Sequence, residues 1–258
     1  PTRASVEHLV RPLELDIAGK WSRWQVSTLL RGAANKAALA GLLGGGSPPS
    51  LLFTASHAVR YPAESPRQAT HQGALLSADW PGRRAWQGKG ALPDDFLFSG
   101  EDVASGTRLD GLIAFHFACY SAGTPHLDPY HDRAPRVAAA EPFVAHLPKR
   151  LLRQGALAVV GHVDVAFEQS FLWYDSDSQP VNFRSALDAL MSGAPVGHAM
   201  ESFTERFSLL GAILAEASWK ARRNGSEDED LKRLRLWSAF QDSRHYLVLG
   251  DPAARLSV

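Results

Sequence analysis

Residues 111–123 read GLIAFHFACYSAG. The first eight carry no formal charge apart from the titratable His116, and their apolar residues fall at both phases of the two-residue strand period. A run of this kind reads as a short strand covered on both faces, the pattern of parallel sheets. It ends in Cys119 and then passes into the small residues Ser121, Ala122 and Gly123. Three other runs share its character: LLFTAS at 51–56, ALAVVG at 156–161 and the apolar centre of HYLVLGDP at 245–252. GALLSAD at 73–79 is a further strand candidate.

Helical patterns lie between these runs. NKAALAGLL at 35–43 reads as a short helix opened near Asn35 and stopped by glycines. FVAHLPKRLLRQG at 143–155 reads as a helix that Pro148 either kinks or starts late. Residues 183–191 are helical, and a long helix starts near Pro195 with Met200, Phe203, Phe207, Leu210 and Leu214 on one face. Ser226 and Glu229 match a capping box at the head of a last helix, along which Leu231, Leu234, Trp237 and Phe240 recur. Strands alternating with helices predict an α/β fold with a mainly parallel central sheet and helices on both faces. In such sheets, sites gather beyond the C-terminal ends of the strands.

Two chemically capable residues are expected at those ends. His57 follows LLFTAS and Cys119 follows GLIAFHFA, 62 residues later. A cysteine nucleophile acts as its thiolate, and a nearby imidazole can take and return the proton. The competing reading is that a lone cysteine is a small buried hydrophobe, and most of the ten histidines must be structural.

The order of these segments resembles the caspase-like superfamily of cysteine peptidases, and within it the bacterial gingipain-like and CHAT-domain branch. LLFTASHA resembles the strand that ends in that family's catalytic histidine. LIAFHFACYSAGTP resembles the strand ending in Ala-Cys, and GALAVVGHVDVAF the next strand with its pocket-forming loop. SALDALMSGAPVGHAM resembles the helix pair that follows, and YLVLGDPAARL the closing strand with its Gly-Asp-Pro ending. The resemblance runs from about residue 25 to the C-terminus and implies a three-layer caspase-like (caspase-hemoglobinase) fold. It implies a cysteine endopeptidase in which His57 and Cys119 form a catalytic dyad. The backbone N–H groups of Ala58 and Cys119 would form the oxyanion hole, although the family usually carries glycine after the histidine. No cofactor or metal is implied. The implied substrate is a protein or peptide, in a regulated bacterial defence or signalling role. Asp164 and His162 are expected to line the substrate cleft. Asp164, in a segment with Glu168, Asp175 and Asp177 and without Lys or Arg, is the candidate selector of Arg at P1. The competing pocket is apolar, lined by Phe167, Phe171 or Trp173. The main alternative function is a non-catalytic interaction module of the same fold.

The remaining features narrow the field. The chain has 258 residues, 45% hydrophobic and 21% charged, which suits one domain spanning 1–258 with residues 1–30 as an N-terminal extension or the end of a preceding region. Lys plus Arg and Asp plus Glu both number 27, so no net field draws the chain to nucleic acid or anionic lipid. Seven tryptophans without a basic stripe read as packing rather than base stacking. A single cysteine excludes an intrachain disulfide and fits a reducing, cytoplasmic setting. No apolar run approaches a membrane span, and PTRASVEHLV is not read as a secretory signal. The first residue is Pro1, as expected of an excised or processed piece of a larger parent chain. HLDPYHD at 126–132 gathers His126, Asp128, His131 and Asp132, but Pro129 interrupts any helical display of metal ligands, so a solvated or switch loop is expected.

Overall fold

Four of the apolar runs assemble into one sheet: β1 Leu51–Ala55, β2 Ile113–Phe117, β3 Ala158–His162 and β4 Tyr246–Gly250. The computed structural model describes residues 3–44, 46–128, 136–173, 177–224 and 227–258. The strands lie in sequence order, β1-β2-β3-β4. The first three are parallel, and β4 runs antiparallel to β3, pairing Val248 with Val160. The result is the α/β architecture expected, with a mixed, mostly parallel sheet.

Both faces of β1, β2 and β3 are covered because both phases of these strands are apolar, whereas β4 packs Tyr246 and Val248 and leaves Leu247 exposed. On one face Ile113, Phe115 and Val160 pack with Leu9, Leu13, Phe183 and Phe203. These come from the N-terminal helices, including α1 Arg11–Lys20, and from α4 Val181–Met191 and α5 Glu201–Asn224. On the other face Leu52, Ala114 and Val159 meet Leu43 of α2 Lys36–Gly44 and Leu147 and Leu151 of α3 His146–Arg153. His116 is the polar intruder on this second face. Its Nδ1 lies 2.8 Å from Thr54 Oγ1, and complete burial pushes its pKa down to about 4.

Local chemistry sets the helix ends. Asn35 Oδ1 accepts the Ala38 N–H at 2.8 Å and caps α2. In α3, Pro148 stands in the first turn, where a missing N–H leaves no carbonyl unserved, so the late start prevails over the kink. The helix expected from Pro195 is divided into Val196–Ala199 and α5. The Val196 and Gly197 N–H groups donate to the carbonyls of Ala254 and Pro252, each at 2.9 Å, and bind the first piece to the C-terminal tail. The last helix, α6 Glu227–Ser243, packs Leu236 and Ala239 against Leu210 of α5. Ser226 of the expected capping box lies outside the described residues.

The strand candidate at 73–79 is the main departure. Only Leu75–Leu76 is a strand, and it pairs antiparallel with Leu97–Phe98 away from the main sheet. The segment instead crosses the end of β1. Leu76 N–H donates to His57 O at 2.8 Å and Val59 N–H to Ala74 O at 3.1 Å, with Ala58 bridged to Leu75 between them. Among the described residues no helix is long and apolar enough to cross a membrane.

Candidate active site at the ends of the first two strands

The register of β1 and β2 pairs Ala55 with Phe117. Ser56 N–H continues that ladder by donating to Phe117 O at 3.2 Å. Two residues beyond the last pair stand His57 and Cys119, at the same level on strands whose axes run ~4.8 Å apart. The sheet thus carries both to one edge although 62 residues separate them in sequence.

Cys119 occupies a tight turn. Ser121 N–H donates to Ala118 O at 3.3 Å, and Tyr120 takes a left-handed backbone conformation at φ 57°. A tyrosine in that region costs free energy and persists only where its surroundings hold it. Here Tyr120 N–H donates to Asp164 O at 2.8 Å and Ala122 N–H to His162 O at 3.0 Å. Ser121 Oγ accepts the His162 N–H at 3.0 Å and faces the His116 and Ala118 carbonyls. Gly73 presses its backbone against the Tyr120 carbonyl so closely that a Cβ there would collide with it. The turn is therefore clamped from β3 on one side and from 73–76 on the other.

The N–H groups of Ala58 and Cys119 make no backbone–backbone hydrogen bond among the described residues, and the Cys119 N–H helps to hold down the pKa of its own thiol. Ala58 sits in the non-hydrogen-bonded position of its bridge with Leu75, so its N–H points away from that neighbour.

Cys119 Sγ accepts the Ala166 N–H at 3.3 Å and lies 3.7 Å from Ala166 O, and no hydrogen bond joins it to His57 among the described residues. Burial pushes the thiol pKa up, only partly offset by the Ala166 N–H, and the Asp242 and Asp164 carboxylates push the same way. His57 is exposed at the mouth of the site, yet partial desolvation, with a smaller push from the Arg83 cation, lowers its pKa. The pair therefore rests as a neutral thiol and a neutral imidazole.

His162 and Asp164 lie beneath this surface. His162 is fully buried, with Nδ1 2.9 Å from Asp164 O and Nε2 3.0 Å from Asp242 O and 3.5 Å from Asp242 Oδ1. Burial pulls its pKa down, but the Asp242 hydrogen bond and charge outweigh that and raise it. Asp164 is 1% exposed; Oδ1 accepts the Val165 N–H at 2.8 Å, Oδ2 has no partner, and burial raises its pKa. Near it, Arg60 pairs with Asp128 at 2.8 Å and lies over the Tyr120 ring at 5.8 Å. Phe171 belongs to the core, Glu168 is exposed, and Asp175 and the side chains of Trp173 and Asp177 fall outside what is described.

Asp242 is the site residue with no sequence signal. It ends α6, is wholly buried, accepts the Phe167 N–H at 2.8 Å and the Ser170 hydroxyl, and so anchors the loop that covers Sγ. Among the described residues no group of three His, Cys, Asp or Glu side chains could hold a metal. His131 and Asp132 of the 126–132 cluster lie outside the described residues, His126 Nδ1 hydrogen-bonds with Ala139 O at 2.8 Å, and Asp128 faces Arg60. Comparison with protein-family models, with curated proteins and with solved structures finds no match.

Proposed function

We propose that this chain is a cysteine endopeptidase of the caspase-like type, with Cys119 as nucleophile and His57 as its proton-transfer partner. The observation that carries the reading is the β1–β2 register, which brings these two residues level beside two N–H groups that make no backbone–backbone hydrogen bond among the described residues. In the reaction, Cys119 Sγ attacks the scissile carbonyl carbon while its proton passes to His57. The oxyanion takes hydrogen bonds from the Ala58 and Cys119 N–H groups. Collapse breaks the C–N bond, His57 protonates the departing amine, and water hydrolyses the thioester. The chemistry requires no metal or cofactor. Substrate binding must first displace Ala166 from Sγ, because the thiol attacks only once that contact is released.

Asp164 remains the proposed selector of a basic P1 residue, on the strength of its unpartnered Oδ2. With 1% of its surface exposed, it can meet a guanidinium only after the 164–167 loop moves. Profiling wild type and Asp164→Ala on matched Arg, Lys, Leu and Asp P1 substrates tests this. A wild-type preference for Leu or Asp, or an unchanged mutant profile, removes Asp164 from the pocket. The proposed setting is the cytoplasm, in regulated bacterial defence or signalling, and one cysteine with no disulfide is compatible with it.

A non-catalytic interaction module is the second reading, and the neutral thiol held by Ala166 favours it. Mass spectrometry after treatment with peptidyl acyloxymethyl ketones varied at P1 separates the two. The peptidase reading expects a single adduct on Cys119 that depends on the peptide and is lost in His57→Ala. Labelling no faster than with a peptide-free electrophile supports the module instead.

A further inference from the structure

β1 is an edge strand. It pairs with β2 on one side, and no strand pairs with its other side among the described residues. Ile113 N–H donates to Ser50 O at 2.9 Å and Ser56 N–H to Phe117 O at 3.2 Å, so the even-numbered residues turn their peptide groups toward β2. Backbone groups alternate in direction along a strand, so Leu51, Phe53 and Ala55 turn theirs the opposite way. None of these outward N–H or C=O groups has a hydrogen-bond partner among the described residues.

They open into a cavity of about 460 Å³ rather than onto a bare surface. Leu39 and Leu42 line it on one side of the sheet and Ile17 and Leu187 on the other, and the segment 24–31 lines it as well. The slot thus has the cross-section of a sheet interior, with helices above and below and unpaired peptide groups along one side. Leu51, Phe53 and Ala55 are partly buried, and a ligand that displaced water from the slot without pairing their peptide groups would leave those groups at a cost. An acyl chain or a flat aromatic would satisfy the walls but leave those groups without partners. An extended peptide would satisfy both, pairing its backbone at the strand repeat and burying side chains on each face.

We infer that this slot binds an extended, apolar segment of a partner protein, added as a strand to the free edge of β1. The matching segment spans about five residues, the length of β1, at ~3.3 Å each. Because both walls are apolar, it carries Val, Ile or Leu at successive positions rather than alternating with charged residues.

Fluorescence anisotropy of the full chain with a labelled Lys-Val-Ile-Val-Ile-Val-Lys peptide tests the inference. Two further peptides carry backbone N-methyl groups on one or the other alternating set of residues. Strand addition expects the parent peptide to bind and one methylated isomer to lose at least tenfold in affinity, with the other far less affected. Ala38 lines the slot, and Ala38→Trp should weaken binding at least tenfold in a chain whose unfolding remains cooperative. Hydrogen exchange on wild type supplies a readout that needs no variant: the Leu51, Phe53 and Ala55 amides should exchange at least tenfold more slowly with peptide present. Absence of peptide binding overturns the inference, as does equal binding of all three peptides. So does displacement of bound peptide by dodecanoate without amide protection, which would make the slot an acyl-chain pocket. Protection of the three amides by concentration-dependent self-association alone overturns it in favour of a second copy of this chain.

Discussion

At the scale of single residues, the proposed chemistry rests on His57 and Cys119, and each has a distinct expected phenotype. Cys119→Ala should lower peptide turnover by at least ~10³-fold with thermal stability retained, since it removes the nucleophile from a half-buried position. His57→Ala should be comparably damaging, and steady-state kinetics on both variants checks this. A mild His57→Ala beside a catalytically dead but folded His162→Ala would transfer the proton-transfer role to the buried histidine. His116 makes a separate prediction about stability. Its folded pKa, near 4, lies below the ordinary histidine value of about 6.5. Its depressed pKa favours the folded state fully above the unfolded value, and this contribution disappears as pH falls through the folded one. That amounts to about 3 kcal/mol lost between pH 7 and pH 4. Urea unfolding across this range should show the loss in wild type and a flatter profile in His116→Phe.

At the scale of elements, the clamp on the nucleophile turn is the sensitive part. Gly73 has φ 76° and no room for a Cβ beside the Tyr120 carbonyl. Gly73→Ala should cost about 2 kcal/mol or more, through backbone strain and collision with a turn that has nowhere to retreat. Chemical denaturation measures the cost. Since the same contact holds Cys119 in place, the rate of Cys119 alkylation in the folded variant should change as well. The identical substitution at Gly41, where nothing lies within 4 Å of the missing Cβ, should be neutral or stabilising.

At the scale of the whole molecule, the site is coupled to the last helix. Asp242 ends α6, yet it holds the Phe167 N–H and the Ser170 hydroxyl and stands 3.5 Å from His162 Nε2. Asp242→Ala takes the acceptor from the Phe167 N–H and the carboxylate charge from beside the buried His162, whose hydrogen bond to the residue-242 carbonyl remains, at an expected cost of about 3 kcal/mol. It also loosens the loop that places Ala166 over Sγ. Iodoacetamide should therefore reach Cys119 faster in folded Asp242→Ala than in wild type. An unchanged rate would show that the loop keeps its place without the carboxylate.

The sheet strands and most helices were legible because they rest on local pattern. Apolar runs at both strand phases mark buried strands, and Asn35 and Pro148 mark helix starts, as capping and the missing proline N–H require. His57 and Cys119 stand out for the same reason, as polar residues directly after such runs. Chain folding alone settled what no local pattern encodes. Residues 73–79 became a clasp across the end of β1 instead of a sheet strand, because their backbone partners are His57 and Val59. His162 and Asp164, read as cleft residues, were drawn under the surface by partners 80 and 44 positions away, Asp242 and Tyr120. The cover over Sγ and the open slot beside β1 likewise depend on which distant segments meet. Periodicity reports which face of an element is buried, but only packing fixes what each buried polar group finds opposite it.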